Sequence, residues 1–401
     1  MYNDVLSKLK KYNQEHLLRF YDELNDAEKK HLLDQINTID FEQMNELYKS
    51  INRKEEIAEI TAMSSYENKD EYYDAGIESM KRNEYAVLTM AGGQGTRLGH
   101  SGPKGTYFLE YGINKSLFEI QCDKLKHIYE ISNVYTPWFI MTSNENNNAT
   151  IEFFEANNYF GYPKDKISFF TQDELPMIDT NGKIVMDSKY NIKMGANGHG
   201  GVASSLHNSG ILEKMKEQGI KYVFIGGIDN VLTPCDFPNF LGFAKHHNFP
   251  CASYIIPKGY PEEKVGVFCK KNGRPAVVEY IHMTPEMNNL RDEDGNLVYG
   301  DAHLLINLFT IEALEKIIDK KLKYVAAFKK TEYINDLGEL IVPDKENAYK
   351  FESFIFDAFP YFDNIGLLKG KREEIFAPIK NAIGVDSPET ASKLYLDFYR
   401  K

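Results

Sequence analysis

The spacing of hydrophobic residues along the chain changes at about residue 85. Before that point apolar side chains recur every three or four residues, as at Phe41, Met44 and Leu47, which predicts amphipathic helices over the first eighty or so residues. Asn25 and Asp40 each precede such a run, and their side chains can accept hydrogen bonds from the first backbone N–H groups of a helix. This first segment is therefore predicted to be a helical appendage to the rest of the protein.

From residue 85 onwards, short apolar runs alternate with longer amphipathic stretches. The apolar runs are typical of buried strands and lie at 85–93, 138–143, 166–172, 222–230 and 252–257. Helical spacing is found at 116–131, 148–160 and 202–219. Alternating strands and helices predict an α/β fold with a doubly wound, mainly parallel sheet, in which ligands bind beyond the carboxyl ends of the strands.

Past residue 260 the pattern becomes mixed. The stretch VGVFCKKNGRPAVVEYIHM predicts a β-hairpin around Asn272-Gly273, so we expect a mixed sheet that is still mainly parallel. A polar, turn-containing stretch at 329–347 leads to the C-terminal part. We predict an N-terminal helical domain at 1–82, a central domain at 83–345 and a small C-terminal domain at 346–401.

Composition and charge limit the classes of partner. The 401 residues are 42% hydrophobic and 26% charged, the balance of a folded globular protein. A net charge of -12 gives no general support for binding nucleic acid or an anionic membrane, so any anion must be bound locally. The four cysteines form no CxxC pair, which predicts reduced core thiols. The sequence shows neither a secretory apolar segment nor an apolar run near the length of a membrane span. We expect a cytoplasmic protein.

The segment MAGGQGTRLG (90–99), followed by HSGPKG (100–105), is the most informative part of the chain. Glycines directly after a strand let the backbone turn tightly and point N–H groups at an anion. Arg97 and Lys104 add fixed positive charge, a combination that suits a polyphosphate better than a purely structural turn. The segment is neither a P-loop, because its lysine follows proline, nor a dinucleotide-binding loop, because its glycines are spaced GxGxxxG.

Two other loops carry candidate chemistry. Asp229 ends an apolar strand in GGIDN, where a carboxylate can hold Mg2+ beside phosphates or can serve as a cap or turn residue. The loop GANGHGG (195–201) leads into a predicted helix, and its backbone N–H groups can meet an anion or the edge of a base. A flexible surface loop is the alternative for this second segment.

The order of these motifs resembles a known family. AGGQGTRLG followed by PKG is similar to the signature of uridylyltransferases that make UDP-sugars, and the resemblance is to the eukaryotic-type UDP-N-acetylglucosamine pyrophosphorylases. It covers nearly the whole chain and includes QEHLLRFYDEL (14–24), FFTQDELP (169–176), VVEY (277–280), FESFIFDAF (351–359) and FAPIKNA (376–382). It implies a Rossmann-like nucleotide-diphospho-sugar transferase fold. It also implies a reversible reaction, dependent on Mg2+ or Mn2+, between UTP and N-acetylglucosamine 1-phosphate that yields UDP-N-acetylglucosamine and pyrophosphate.

The resemblance also implies roles for individual residues. The implied catalytic residues are Arg97, Lys104 and Lys380. The implied nucleotide-binding residues are Met90, Ala91, Gly92, Gly93, Lys104, Gln172, Gly198, Asp229 and Lys350, and Asp229 is also the implied metal ligand. The implied sugar-binding residues are His199, Gly266, Glu279, Tyr280, His303, Phe354 and Phe356. By pattern alone the lysines at 350 and 380 are solvated residues, and Phe354 and Phe356 alternate as core residues of a strand do.

Two positions depart from the family's pattern on the sugar side. His199 gives GHG, as in UDP-glucose pyrophosphorylases, and His303 stands where asparagine is common in the N-acetylglucosamine enzymes. An imidazole can still donate a hydrogen bond to a sugar or phosphate oxygen. A UTP-glucose-1-phosphate uridylyltransferase or a broad-specificity UDP-sugar pyrophosphorylase is therefore the alternative, and a non-catalytic UDP-sugar-binding protein is a remote one. The expected partners are these substrates and products, without nucleic acid or membrane, and the expected state is a monomer or weak homo-oligomer.

Overall fold

The computed structural model describes residues 2–51, 53 and 59–400, and these form two compact units. The first unit contains the described parts of Met1–Ile57, Asp173–Gly201 and Lys321–Ile355. The second contains the described parts of Ala58–Gln172, Val202–Lys320 and Phe356–Lys401. The units are thus assembled from segments distant in sequence, whereas the predicted domains at 1–82, 83–345 and 346–401 are continuous. That three-part division stays a prediction.

The helices and strands account for most of the described chain. The α-helices are α1 (Tyr2–Lys11), α2 (Asp26–Thr38), α3 (Phe41–Ser50), α4 (Glu71–Lys81), α5 (Leu117–Ser132), α6 (Asn147–Ala156), α7 (Val202–Asn208), α8 (Ile211–Glu217), α9 (Pro238–His246), α10 (Pro285–Asn289), α11 (Ile311–Ile317), α12 (Arg372–Ile375) and α13 (Pro388–Tyr399). The strands are β1 (Ile60–Thr61), β2 (Tyr85–Met90), β3 (Phe108–Leu109), β4 (Lys115–Ser116), β5 (Trp138–Thr142), β6 (Ile167–Thr171), β7 (Glu174–Pro176), β8 (Ile178–Asp179), β9 (Met186–Ser188), β10 (Asn191–Ile192), β11 (Met194–Ala196), β12 (Tyr222–Gly227), β13 (Cys251–Pro257), β14 (Val267–Lys271), β15 (Arg274–Val278), β16 (Asp301–Thr310), β17 (Val325–Lys329), β18 (Tyr333–Ile334), β19 (Leu340–Ile341), β20 (Ala348–Glu352) and β21 (Gly366–Lys369). Among the helices in these ranges, none combines the length and the hydropathy needed to cross a bilayer.

The second unit is built on a mixed sheet. Its strand order is β1-β14-β16-β12-β2-β5-β6, with β13, β15 and β21 paired off this path. Strands β12, β2, β5 and β6 are parallel, as are β13 and β21, whereas β16 is antiparallel to β12 and β13. Every residue of β2 and β5 is buried, as expected for strands covered on both faces. The predicted α/β fold with a mixed, mainly parallel sheet is confirmed.

Helices α4 and α9 of this unit cross so closely that backbone meets backbone. A Cβ atom on Gly76 would lie 2.0 Å from the carbonyl oxygen of Pro238, and one on Gly242 would lie 1.7 Å from that of Tyr72. The rings of Tyr72 and Phe243 pack beside the crossing, with centroids 5.5 Å apart. Only glycine permits this approach, because any other residue would place a side-chain atom inside the neighbouring helix.

In the first unit the N-terminal helices pack on short strands contributed by later parts of the chain. Both predicted N-caps are confirmed, because the side chains of Asn25 and Asp40 accept backbone N–H groups at the starts of α2 and α3. Leu32 of α2 belongs to the same buried cluster as Ile184 and Phe351. Helices α1 to α3 therefore share one core with residues from the two later ranges of this unit.

Two predicted helices end earlier than the pattern indicates. The first segment is interrupted at Ile60–Thr61, which forms β1 and pairs with Lys270–Lys271, before it becomes helical again in α4. Residues 52 and 54–58 lie outside the described part. The predicted helix at 202–219 is interrupted at Gly210, whose φ of 72° is left-handed and separates α7 from α8. In the first case a distant strand decides the local conformation, and in the second case glycine permits the break.

Among the elements after residue 260, the structure confirms the predicted hairpin and corrects the predicted placement of two phenylalanines. The predicted hairpin at Asn272-Gly273 is confirmed, since β14 and β15 pair across it. Phe354 and Phe356, in contrast, do not alternate along a strand. Strand β20 ends at Glu352, and a 3-10 helix, Ile355–Tyr361, begins between the two phenylalanines. The pattern alone could not distinguish a strand from a short helical turn.

The close crossing of α4 and α9 leads to a stability prediction. We expect Gly242→Ala to lower the free energy of unfolding by at least about 3 kcal/mol, because its Cβ must push two backbones apart. Gly259→Ala is the control, since the nearest side-chain atom, an oxygen of Glu263, would lie 3.6 Å from the new Cβ. We expect that change to stay within about 0.5 kcal/mol. Urea denaturation of both variants is the measurement, and equal stability of the two would contradict the close crossing.

Candidate active site

The glycine-rich loop leaves the carboxyl end of β2 and folds back onto the segment that carries Lys104. The backbone N–H of Lys104 donates to the carbonyl oxygen of Gly93 at 3.0 Å, and that of Gly95 donates to Gly102 at 3.0 Å. Arg97 lies exposed in the short 3-10 turn that follows the glycines. The glycines and both predicted cations thus belong to one backbone structure, as an anion site built from them requires.

The side chain of Asn146 also holds this loop, and no motif in the sequence marks this residue as part of the site. Its Nδ2 donates to the carbonyl oxygens of Ala91 at 3.0 Å and Gly93 at 3.3 Å, and its Oδ1 accepts the N–H of Ser143 at 2.9 Å. The side chain is completely buried. One amide therefore holds three backbone groups, one of which, the Gly93 carbonyl, also accepts the N–H of Lys104. The only signal in the sequence is its position just after the predicted strand at 138–143.

Gln172 lies against the same loop. A Cβ atom on Gly92 would lie 2.7 Å from the Gln172 Nε2, so this glycine leaves room for the amide. Apart from Gly93 and its two neighbours in the chain, no described atom lies within 4 Å of the Cβ position of Gly93, so this face of its backbone is open. Met90 and Ala91 are buried, and their carbonyl oxygens accept hydrogen bonds from the Ile228 N–H and the Asn146 amide, respectively. The structure therefore groups all five of these predicted nucleotide-binding residues.

Asp229 follows β12, the neighbour of β2 in the sheet. Its Oδ2 lies 3.6 Å from the Nζ of Lys104, and its backbone oxygen accepts the N–H of Ile379 at 2.8 Å. The second contact brings the segment of Lys380 to this loop, and the Nζ of Lys380 lies 3.6 Å from the Oδ2 of Asp386. A carboxylate and two cationic segments thus meet at the carboxyl ends of parallel strands, where α/β sheets bind ligands.

The donor set around Asp229 fits a metal that is bound chiefly through its substrate. Within the described residues there is no cluster of three or more histidine, cysteine, aspartate or glutamate side chains that could hold a metal ion. The Asp229 carboxylate is 33% exposed and presents hard oxygen ligands. Mg2+ commonly takes one or two carboxylates and completes its octahedral shell with water and phosphate oxygens. One carboxylate beside an anion-binding loop is consistent with that mode.

The predicted sugar-binding residues of the second unit form a neighbouring cluster. The backbone N–H of His303 donates to the carbonyl oxygen of Gly266 at 2.9 Å, and a Cβ on Gly266 would lie 3.4 Å from the Glu279 Oε1. The ring of His303 lies 5.3 Å from that of Phe356 in an edge-to-face arrangement. Tyr280, at the start of a 3-10 turn, is 42% exposed. Gly266 therefore links His303 with Glu279, His303 packs against Phe356, and Tyr280 directly follows Glu279 in the chain.

A bulge in β16 connects this cluster with the end of β12. Leu305 has a φ of 58°, and the pairing of β16 with β13 shifts register between Ser253 and Ile255. This left-handed conformation costs a branched residue about 1–2 kcal/mol. The Leu305 Cδ2 lies 3.3 Å from the Cβ position of Gly227, the last residue of β12. No signal in the sequence predicts the bulge, because it arises from pairing with strands on both sides.

The first unit holds the remaining predicted residues, grouped around the loop that follows β11. Gly198 has a φ of 84°, and a Cβ there would lie 2.3 Å from the carbonyl oxygen of Ser353, so glycine is required. The Nδ1 of His199 accepts the backbone N–H of Ile355 at 3.2 Å, which leaves the proton of the neutral ring on Nε2. The His199 ring lies 5.4 Å from that of Phe354. His199 is thus oriented as a hydrogen-bond donor.

Lys350 belongs to the same group. Its Nζ lies 2.7 Å from the Oε1 of Glu352, and its side chain is 25% exposed. Its aliphatic stem lies against the loop, since a Cβ on Gly195 would be 3.2 Å from the Lys350 Cγ. The pattern-based interpretation of Lys350 as a solvated lysine is therefore wrong.

Comparison with known proteins agrees with this arrangement. The family model described as UTP--glucose-1-phosphate uridylyltransferase matches residues 19–385. The chain belongs to this family. The matched range includes every residue predicted for the site, from Met90 to Lys380.

This uridylyltransferase-family chain is similar to UDP-N-acetylglucosamine pyrophosphorylase of Saccharomyces cerevisiae, to which it is 36% identical over 339 residues. The match covers 82% of this chain and 71% of the relative. It is 32% identical over 428 residues to UDP-N-acetylglucosamine diphosphorylase 2 of Arabidopsis thaliana, covering 99% and 84%. The crystal structure of the UDP-N-acetylglucosamine pyrophosphorylase from Trypanosoma brucei, in complex with an inhibitor, matches with a TM-score of 0.82 at 27% identity, covering 98% and 84%.

The burial of Glu279 leads to a pH prediction for this member of the family. Burial raises the pKa of Glu279, and the nearby His282 partly offsets the effect. Because the folded-state pKa lies above the unfolded value, the stabilising contribution is present below the unfolded pKa and is lost as the pH rises through the folded pKa. We therefore expect Glu279→Gln to raise the melting temperature near neutral pH, with a gain that disappears below about pH 4.

Thermal melts from acidic to neutral pH measure this difference. The control is Glu293→Gln, which removes an exposed carboxyl from the same part of the chain. A Glu279→Gln variant that is less stable than the wild type at neutral pH would contradict the cost of burying this carboxylate.

Proposed function

We propose that the protein is a UDP-N-acetylglucosamine diphosphorylase, a nucleotidyltransferase that makes UDP-N-acetylglucosamine and pyrophosphate from UTP and N-acetylglucosamine 1-phosphate. The observation that carries this proposal is the closure of the glycine-rich loop on Lys104, whose Nζ lies 3.6 Å from Asp229. Both substrates are anions, so the site must supply backbone donors and cations at the reacting phosphates. The names of the relatives at 32–36% identity support the sugar.

The reaction is an in-line displacement at phosphorus. A phosphate oxygen of the sugar 1-phosphate attacks the α-phosphorus of UTP, and the bond from this phosphorus to the bridging oxygen breaks, so that pyrophosphate leaves with the electron pair. We assign Arg97 to the triphosphate and the departing pyrophosphate, and Lys104 and Lys380 to the phosphates at the reacting centre. No proton has to be moved and no covalent intermediate forms, so catalysis consists of positioning and charge neutralisation.

We assign the remaining predicted residues to recognition of the two substrates. Gly93, Gln172 and Gly198 would recognise the uracil ring. The contact of the Gln172 amide with the Gly92 backbone supports this role, because it holds a donor and an acceptor beside an open stretch of backbone. Lys350 would contact UTP. The cluster of Glu279 and His303 would bind the sugar.

Mg2+, or Mn2+, is the proposed cofactor, with Asp229 as its protein ligand. When bound with the triphosphate, such an ion supplies neutralisation of phosphate charge. Lys104 lies beside Asp229, so the ammonium and the carboxylate are held together where the triphosphate is proposed to bind.

Glucose 1-phosphate is the second candidate substrate. The observation that favours it is His199, which gives the GHG pattern and presents its Nε2 proton as a donor. A single donor can serve either a sugar hydroxyl or the carbonyl of an N-acetyl group. Broad specificity for both sugars would follow if this donor does not discriminate between them.

The proposed setting is the cytoplasm, with a monomer or weak homo-oligomer and no nucleic-acid or membrane partner. Two observations support it. The four cysteines, Cys122, Cys235, Cys251 and Cys269, are buried free thiols, as a reducing compartment allows. The net charge of -12 opposes binding to polyanionic surfaces.

Pyrophosphate release from UTP tests the substrate assignment directly. We expect release only when a sugar 1-phosphate is present, with the highest kcat/KM for N-acetylglucosamine 1-phosphate in a panel that includes the glucose, galactose and N-acetylgalactosamine compounds. Preference for glucose 1-phosphate would establish the second candidate instead. Binding of UDP-sugar without turnover of any substrate would contradict an enzymatic role.

Substitution of the proposed phosphate-binding cations tests the mechanism. We expect Arg97→Ala and Lys380→Ala to lower turnover about 100-fold, because each removes a charge-assisted contact worth about 3 kcal/mol in the transition state. Their melting temperatures should stay near that of the wild type, since Arg97 is exposed and Lys380 is 45% exposed. Lys393→Ala, at an exposed position of α13, is the control. Wild-type turnover in either site variant would refute the assignment.

A further inference from the structure

The side chain of Asn230 joins two segments that are far apart in sequence. Its Nδ2 donates to the carbonyl oxygen of Ile375 at 2.7 Å, and its Oδ1 accepts the backbone N–H of Ala377 at 2.8 Å. The same Oδ1 also accepts the N–H of Leu232 at 3.2 Å, within its own loop. Asn230 is 7% exposed, so water cannot easily replace these partners.

Backbone hydrogen bonds on either side complete the connection. The carbonyl oxygen of Asp229 accepts the N–H of Ile379 at 2.8 Å, and the N–H of Val231 donates to Ala377 at 3.2 Å. Asn230 itself forms an antiparallel bridge with Pro378. Asp229 and Lys380 therefore stand directly next to the linked stretches, one on each segment.

The loop of Asp229 has a second anchor that does not involve the Lys380 segment. Lys124 of α5 is 3% exposed, and its Nζ donates to the carbonyl oxygens of Val231 and Thr233, each at 2.7 Å. Burial lowers the pKa of Lys124, while the buried Asp236 acts in the opposite direction. Loss of the Asn230 side chain would thus leave the Asp229 loop held by Lys124, whereas the segment of Lys380 would be linked to that loop by its backbone hydrogen bonds to Asp229 and Val231.

We propose that Asn230 is a positioning residue that holds Lys380 at a set distance from Asp229, and so aligns the phosphate of the sugar with that of the nucleotide. This inference rests on the proposed function and goes beyond it by naming what aligns the two phosphate sites. Asn230 touches neither substrate in this scheme. Its effect on the reaction passes through Lys380, because its amide is a side-chain link to the 375–380 segment. The loop of Asp229, which also donates the N–H of Leu232 to this amide, keeps its separate anchor at Lys124.

A double-mutant cycle tests this route of action. Asn230→Ala leaves the Ile375 carbonyl and the Ala377 N–H without their side-chain partner, and a shift of about 1 Å at Lys380 can cost about 100-fold in rate. We expect kcat/KM for the sugar 1-phosphate to fall toward the value of Lys380→Ala, while the affinity for UTP stays within about twofold. In the Lys380→Ala background, Asn230→Ala should lower kcat/KM by less than about threefold, because its target is already absent.

The opposite results overturn the proposal. If the two substitutions lower activity by independent factors that multiply, Asn230 does not act through Lys380. If Asn230→Ala weakens UTP binding as much as it slows the reaction, its role is general support of the fold. Asn239→Ala is the matched control, since its side chain also donates to a backbone carbonyl, that of Lys69, away from these loops.

Hydrogen exchange supplies a readout that does not require activity. In Asn230→Ala the amides of Ala377 and Ile379 should exchange faster, whereas those of β2 should not change. The amide of Leu232 should also exchange faster, because it donates to the same Asn230 Oδ1. Unchanged exchange at Ala377 and Ile379 overturns the proposed link. If the alanine variant does not fold, Asn230→Asp is used in its place, because it keeps the acceptor for Ala377 and loses the donor to Ile375.

The two hypotheses fail in distinguishable ways. A wild-type protein that turns over none of the sugar 1-phosphates contradicts the proposed function, and hydrogen exchange still decides whether Asn230 holds the segment. A wild-type protein that is active and is impaired by Lys380→Ala, but shows multiplicative effects with Asn230→Ala, contradicts only the positioning role.

Discussion

The hydrogen bond from the backbone N–H of Lys104 to the carbonyl oxygen of Gly93 is the contact on which the candidate site depends. It closes the glycine-rich loop on Lys104, a lysine that also lies beside Asp229. Without it, the glycines would retain the conformational freedom that makes them unsuited to bind anything in a fixed geometry. The buried amide of Asn146 also donates to this carbonyl and to that of Ala91, so a second group holds the loop in place.

The charge arrangement explains how an acidic protein can hold two anions. Each of the three predicted lysines has a carboxylate near its ammonium group, in the pairs Lys104 with Asp229, Lys380 with Asp386, and Lys350 with Glu352. A phosphate that binds one of these lysines competes with that carboxylate. The pairs therefore orient the cations and limit their attraction for unrelated anions, at the cost of part of the affinity for phosphate. Arg97 differs from these lysines because it is exposed on the surface of the glycine-rich loop.

The elements that the sequence predicts correctly are those whose conformation depends on residues close to one another in the chain. Strand β2, the caps at Asn25 and Asp40, and the turn at Asn272-Gly273 depend on residues close in sequence, and each was predicted correctly. The break at Gly210 was missed because glycine permits a left-handed conformation but does not require it. The positions of Phe354 and Phe356 were misassigned because a strand end and a 3-10 turn share the same short apolar spacing.

The sequence by itself determined the fold class, the glycine-rich loop and the residue types available for chemistry, because these depend on periodicity and on short motifs. Only the tertiary structure decided which of those residues meet. It placed Asp229 next to Lys104, joined Asn230 to the segment before Lys380, and bent β16 at Leu305. These are contacts between stretches separated by tens to more than a hundred residues, and no local pattern specifies them. They form because the parallel sheet brings the carboxyl ends of its strands to one edge, where loops from distant parts of the chain must satisfy each other's backbone groups.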